Sequence, residues 1–306
     1  MDVRFSSLKS DCVNPLSTEF AQSLDAAGGS CRRDHFLFPK VSDSNARYRS
    51  VGSRAVYLCG NSLGLQPSRT ASYVNAELEK WGESGVEGHF TPPRPWVTAD
   101  ETVSNGCAAL VGALESEVVA MNSLTVNLHL MMCSFYRPTA SRYVILLEEG
   151  AFPSDAHVAA SQARLHGIDP SRAIITLAPR IGEATLRLED ILDAVERAGE
   201  TLAISLLPGV QYFTGQFLDI PRITEAVRRV GGVAGWDLAH AVGNVPLQLH
   251  DWDVDWAAWC SYKYCNAGPV SQWRRSSTHH LCPPHTHTHT FRLTIPPPLP
   301  PPLIKN

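Results

Sequence analysis

A lysine at the end of an apolar run is the first residue here that could do covalent chemistry. The run from Val254 to Cys260 leads into Ser261, Tyr262, Lys263 and Tyr264. Desolvation favours the neutral amine of a lysine, which suits a nucleophile that forms Schiff bases. A lysine whose stem carries the ammonium group out to solvent is the alternative, and for one residue in isolation it is the simpler interpretation.

An aspartate follows an earlier apolar run in the same way. The segment from Val233 to Trp236 predicts a strand that delivers Asp237, with His240 three residues later. A carboxylate inside an apolar stretch needs a partner, because an unpaired buried charge is unfavourable. The protonated nitrogen of a heterocycle would be such a partner.

Two further strand ends carry residues that could bind a ligand. After Met121, a predicted helix begins at Ser123, and its free backbone N–H groups around Leu124 and Thr125 could bind a phosphate; an ordinary helix cap is the alternative. After Leu147, Phe152 could stack on a planar ligand. Asp155 could contact a ligand or simply start a helix.

These residues need a scaffold that brings strand ends together, and the chain provides one. Helices are predicted at Ser17 to Leu24 and at residues 70–85, where Ser68 could cap the helix. From about residue 118 onward, short apolar strands alternate with amphipathic helices, which include residues 153–165 and 188–198. This order predicts an α/β fold with a mainly parallel sheet covered by helices on both faces. Ligands bind at the carboxyl ends of such strands. A lysine, an acidic partner for a ring nitrogen, an aromatic ring and a phosphate corner together indicate pyridoxal 5'-phosphate.

Composition excludes several other classes. The chain has 306 residues, 44% of them apolar, and a formal net charge of −4. We therefore expect neither a nucleic-acid partner nor an anionic membrane surface. No apolar run approaches the ~18 residues of a membrane span, and the first residues lack the apolar segment of a signal peptide. Eight scattered cysteines fit a reduced, cytoplasmic protein, and we expect no metal site.

The last part of the chain differs in composition from the rest. We divide the sequence into an N-terminal arm (1–50), a cofactor-binding domain (51–268) and a tail (269–306) with His-Thr repeats and proline clusters. The tail lacks a strand or helix period and is expected to be disordered. Metal binding by its histidines and docking of its prolines to a partner are alternatives.

Several long motifs, in this order, resemble the kynureninase family over roughly residues 50–268. They include YLCGNSLGLQP (57–67), EEGAFPSDAHVAASQARLHG (148–167) and DLAHAVGNVPLQLHDWDVDWAAWCSYKYCNAG (237–268). The resemblance implies the large domain of a fold-type I pyridoxal-phosphate enzyme and a homodimer. It ends just past the lysine, so we expect the small C-terminal domain and the last strand of the sheet to be missing, which would leave an unpaired edge.

The resemblance also implies roles for individual residues. Lys263 would form the Schiff base and move protons, and Tyr262 would contact the phosphate and donate a proton. Further cofactor contacts would come from Leu124, Thr125, Phe152, Asp155, Asp237 and His240. Ser62 and His89 would contact the aromatic substrate.

The implied reaction is hydrolysis of L-kynurenine or 3-hydroxy-L-kynurenine to anthranilate or 3-hydroxyanthranilate and L-alanine. A chain that binds cofactor or full-length subunits without turnover is one alternative. Another fold-type I enzyme, such as a desulfurase or aminotransferase, is a second, although no cysteine is convincingly placed as a desulfurase nucleophile.

Overall fold

The computed structural model describes residue 22, residues 32–42 and 50–269, and the backbone of 274–277. The predicted arm is therefore described only in part, and the helix expected at Ser17 to Leu24 lies outside the described residues apart from residue 22. Most of the predicted tail lies outside them as well.

Seven helices occur in the described part of the chain, and six of them follow predicted amphipathic segments, whereas the short helix Pro170–Ala173 was not predicted. They are α1 (Thr70–Ser84), α2 (Glu101–Val111), α3 (Leu124–Phe135), α4 (Pro153–Leu165), α5 (Pro170–Ala173), α6 (Leu188–Ala198) and α7 (Ile220–Arg229). Short 3₁₀ turns lie at Arg33–His35, Gly85–His89, Trp96–Thr98, Glu115–Glu117 and Gly199–Thr201. Proline in the first turn starts α4, α5 and α7, where its missing N–H is not needed.

The main sheet has seven strands, which are β3 (Val118–Ala120), β4 (Val144–Glu148), β5 (Ile174–Leu177), β6 (Leu202–Pro208), β7 (Val233–Asp237), β8 (Trp256–Trp259) and β9 (Arg274–Ser277). Their order across the sheet is β3-β9-β8-β7-β6-β4-β5. The pairings among β4 to β8 are parallel, which confirms the predicted fold class. A separate antiparallel pair joins β1 (Phe36–Leu37) and β2 (Gln66–Pro67).

The edge of the sheet differs from the sequence-based expectation. Residues Arg274–Ser277, within the predicted tail, form β9, which pairs antiparallel with both β8 and β3. The β8 edge that we expected to be unpaired is therefore occupied. The segment has no apolar period of its own. It forms a strand because the backbones of β3 and β8, on either side of it, supply hydrogen-bonding partners.

Two apolar layers lie on opposite faces of the sheet, as alternation along the strands requires. In β4, Val144 and Leu146 face one layer, whereas Ile145 and Leu147 face the other. Helices α2, α6 and α7 cover the first face, and α3 and α4 cover the second.

Candidate active site

The carboxyl ends of β7 and β8 place the predicted aspartate and lysine in one buried region. Asp237 is the last residue of β7, and Lys263 follows β8 in a tight loop. Asp237 is 6% exposed and Lys263 is 8% exposed, so neither charge is carried out to solvent. The interpretation of Lys263 as a lysine that reaches solvent is therefore wrong.

The Lys263 amine contacts a histidine ring. Its Nζ lies 2.7 Å from Nε2 of His240, and the Tyr264 hydroxyl lies 3.5 Å from the other ring nitrogen. Burial and the nearby charge of Lys263 lower the pKa of His240 from 6.5 to about 4. The imidazole is therefore neutral at physiological pH, and Nε2 can accept a hydrogen bond from the Lys263 amine.

Asp237 belongs to a cluster of three buried carboxyl groups. Its carboxylate accepts a hydrogen bond from the Ala239 N–H at 2.8 Å and shares one with Asp155. Burial raises the pKa of Asp155 well above its ordinary value, and the charge of Asp237 and their shared hydrogen bond raise it further. Burial also raises the pKa of Asp237, although the bonds from Ala239 and Asp155 and the charge of Lys263 oppose the rise. The shared proton thus lies on Asp155, which donates it to the Asp237 carboxylate.

The third carboxyl group was missed by the sequence analysis. Glu148 is the last residue of β4 and is 5% exposed. It accepts a hydrogen bond from Gln211 Nε2 at 3.1 Å. Burial raises its pKa, and the charge of Asp237 adds to the rise. Its place at the end of an apolar strand was the available signal, the same one that identified Asp237.

Tyr262 lies next to the lysine amine. The Lys263 Nζ is 5.9 Å from the centre of the Tyr262 ring. Burial and the neighbouring Cys260 raise the pKa of the Tyr262 hydroxyl, so the phenol keeps its proton at neutral pH. Burial likewise raises the pKa of the Cys260 thiol to about 12, which makes that cysteine a poor nucleophile.

Phe152 lies at the start of α4 and is partly exposed. The residue is 45% exposed, and its ring packs edge-to-face against Tyr212 at a centroid distance of 5.3 Å. The same helix start carries Asp155 in its first turn, so the sequence FPSD places the ring and the buried acid together. The exposed aromatic surface is available for stacking on a planar ligand.

The amino-terminal end of α3 is the predicted phosphate corner. Ser123 caps this helix, and its hydroxyl accepts a hydrogen bond from the Val126 N–H at 3.5 Å. Ser123 therefore caps the helix, which was the alternative to a phosphate contact. Leu124 is buried in the same apolar layer as Ala239 and Cys260, and Thr125 is exposed on the first turn.

Ser62 and His89, the predicted substrate contacts, occupy two different segments. Ser62 is exposed in the loop before β2, and that loop reaches the lysine through a hydrogen bond from Gly64 N–H to the Tyr262 carbonyl at 2.8 Å. The ring contacts of His89 are with Trp96, edge-on at 5.5 Å, and with Phe90. The structure thus brings the Ser62 loop to Lys263, while His89 packs within the 85–98 segment.

In the part of the chain that the structure describes, no group of three His, Cys, Asp or Glu side chains could hold a metal ion. Nor is any helix there both long and apolar enough to cross a membrane.

Solved structures with the same fold share little sequence with this chain. A variant of C-DES with glycine covalently linked to its PLP cofactor matches with a TM-score of 0.59 and 16% identity, over 73% of this chain and 56% of that one. The cysteine desulfurase CsdA from Escherichia coli matches with a TM-score of 0.56 and 18% identity, over 72% and 54%. At this identity the likeness establishes the fold alone.

Curated relatives are much closer in sequence. Kynureninase of Salinispora tropica is 54% identical over 249 residues, and that of Nematostella vectensis is 49% identical over 258 residues. These alignments cover 81% and 83% of this chain but 56% of each relative, so the chain spans somewhat more than half of their length. No family model matches the chain. At 54% and 49% identity over 81% and 83% of its length, the chain is similar to these curated kynureninases.

Proposed function

We propose that this chain binds pyridoxal 5'-phosphate at the ends of β4, β7 and β8. The observation that carries the proposal is the buried Lys263 amine, 2.7 Å from a neutral imidazole, in the region that also holds the Asp155–Asp237 pair. The donor set fits this cofactor: a buried carboxylate suits a pyridinium N–H, a partly exposed aromatic residue suits its ring, and a helix start suits its phosphate.

Each proposed contact follows from the position of its side chain. Asp237 would accept the pyridinium N–H, with Asp155 holding its carboxylate in place. Phe152 would stack on the ring, His240 would contact it from the lysine side, and Lys263 would bind it covalently.

The phosphate would lie at the start of α3. Leu124 and Thr125 would contribute backbone N–H groups there, since the first N–H groups of a helix have no partner within it. The Tyr262 hydroxyl would complete this part of the site, because Tyr262 packs against the same apolar layer that contains Leu124.

The proposed reaction is the hydrolysis of L-kynurenine or 3-hydroxy-L-kynurenine to anthranilate or 3-hydroxyanthranilate and L-alanine. The names of the curated relatives support this substrate class. When bound, the cofactor would supply an electron-withdrawing ring that stabilises negative charge at the substrate α-carbon. Ser62 and His89 would contact the aromatic end of the substrate.

The protein groups would then handle protons. The Lys263 amine would take the proton from the substrate α-carbon, beside the neutral imidazole of His240. Water would add to the side-chain ketone of the substrate, and the Cβ–Cγ bond would break to leave the carboxylate of anthranilate and a Cβ that needs a proton. Tyr262 keeps its phenolic proton because burial raises its pKa, so it can donate that proton to Cβ.

We also propose that the protein is a homodimer in the cytoplasm. Helix α1 has no buried residue, and its apolar face exposes Val74, Leu78 and Trp81 by 52%, 56% and 66%. A continuous exposed apolar face supports burial against a partner subunit. Light scattering on the purified chain, with Trp81→Glu as the comparison, tests the dimer.

The free cysteines among the described residues support a reducing compartment.

The deciding experiment compares the wild-type chain with Lys263→Ala. With pyridoxal phosphate, the wild type should show a visible absorption band that the variant lacks, and formation of anthranilate from kynurenine should follow. Asp237→Asn should still bind the cofactor but turn over slowly, because the ring loses its charged partner. A band without product would support the alternative of a cofactor-binding chain without turnover. Identical spectra for the wild type and Lys263→Ala would refute the proposal.

A further inference from the structure

We infer that Gly64 is a positioning residue for Lys263, because only a glycine lets the Ser62 loop (residues 57–64) lie directly on the backbone of the lysine loop (residues 261–267). The inference rests on the proposed role of Lys263 as the residue that binds the cofactor.

The contact between the two loops leaves no room for a side chain. Gly64 N–H donates to the Tyr262 carbonyl at 2.8 Å. A Cβ on Gly64 would lie 2.2 Å from the Lys263 carbonyl oxygen and 2.9 Å from the Asn266 Cα. Both are backbone atoms, so neither can swing aside as a flexible side chain would. The backbone of Gly64 is not in the left-handed region, which makes the conflict one of space alone.

The lysine loop cannot easily retreat from such a conflict. The Lys263 carbonyl accepts the Asn266 N–H at 3.2 Å, and the Ser261 carbonyl accepts the Ala267 N–H at 3.0 Å. Asn266 also adopts a positive φ of 55° to close this turn. A push on the Lys263 carbonyl would therefore shift the whole turn and move the amine away from its 2.7 Å contact with His240.

The Ser62 loop is held equally firmly on its own side. The Tyr57 hydroxyl donates to the Leu63 carbonyl at 2.7 Å, and the Cys59 carbonyl accepts the N–H groups of Ser62 and Leu63 at 2.9 and 3.0 Å. The loop that carries the proposed substrate contact Ser62 therefore also fixes the position of the lysine. One interloop contact would set the distance between substrate and nucleophile.

The test compares Gly64→Ala with Gly60→Ala in the full chain. Gly60 lies in the same loop, also outside the left-handed region, and an added Cβ there would meet nothing within 4 Å. Gly64→Ala should weaken the lysine-dependent binding of pyridoxal phosphate about tenfold or more and shift the pH midpoint of its visible band, because small displacements of a reacting group have large effects. Gly60→Ala should leave both unchanged. Thermal melting of each variant without cofactor reports whether it folds.

Tyr57→Phe is the second variant, for the case in which Gly64→Ala does not fold. It removes the hydrogen bond to the Leu63 carbonyl without adding an atom, and it should weaken cofactor binding in the same direction by a smaller factor. Equal affinities and midpoints for the wild type, the folded Gly64→Ala variant and Tyr57→Phe would overturn the inference. If the wild type itself shows no lysine-dependent band, the proposed function fails instead.

Discussion

The neutral state of His240 should make the stability of this protein depend on pH in a specific window. Its pKa in the folded chain is about 4, against 6.5 for the free side chain, because burial and the charge of Lys263 disfavour the imidazolium. Between these two values the unfolded chain binds a proton that the folded chain does not. The contribution of His240 to the free energy of unfolding is therefore fully present above pH 6.5 and is lost as the pH falls towards 4.

The size of the effect follows from the two pKa values. At about 1.4 kcal/mol per pH unit, the difference between 6.5 and about 4 sets an upper limit of about 3.5 kcal/mol. Solvent reaches part of the His240 ring, and screening reduces the effect, so we expect about 1–2 kcal/mol. This loss is an appreciable fraction of the stability of a typical domain.

Urea denaturation of the chain without cofactor, at several pH values from 7.5 to about 4, measures this loss. His240→Gln is the matched variant, because a glutamine oxygen can accept from Lys263 but does not titrate. The unfolding free energy of the wild type should fall by about 1–2 kcal/mol more than that of the variant over this window. Taking the difference removes the contributions of the acidic groups. Parallel curves for the two proteins would refute the assignment of a neutral, buried imidazole.

Two further substitutions test the buried polar groups. Asp155→Asn should become increasingly more stable than the wild type as the pH rises above 3.8, because Asp155 must keep its proton in the folded chain whereas an amide can donate to Asp237 at any pH. A stability difference that does not change between pH 4 and 7 would contradict this. Thr224→Val should destabilise the chain by about 1–3 kcal/mol in urea denaturation, since the buried Trp236 Nε1 loses its 3.1 Å acceptor. An unchanged midpoint would show that this nitrogen finds another partner.

Much of the scaffold could be predicted from local patterns. The segments 153–165 and 188–198 are helices with the predicted ends, because proline in the first turn marks the start of α4 and a glycine follows α6. Helix α1 was also expected, but its predicted cap was not found: the helix is preceded by Arg69, which makes no capping hydrogen bond. Its apolar face predicted the helix correctly although that face is not buried in this chain.

The site was predictable where a polar residue ends an apolar strand. Asp237 and Lys263 were identified in this way, and the structure buries both. The contact of Lys263 with His240 and the proton shared by Asp155 and Asp237 could not be predicted, because they depend on which strands become neighbours. The strand Arg274–Ser277 was missed for the same reason. Its backbone pairs with edges that exist only after the sheet has formed.

The position of β9 also determines the order in which the sheet can be completed during synthesis. Val118 of β3 pairs with Ser276 of β9, and β9 alone joins β3 to β8 in the sheet. The ribosome therefore finishes β4 to β8 before β3 has its partner in the sheet. Closing such a distant contact is slow, because the chain entropy of the intervening segment must be lost first. Until β9 is in place, helix α3, whose start is the proposed phosphate site, follows a strand that has no hydrogen-bonded neighbours in the sheet.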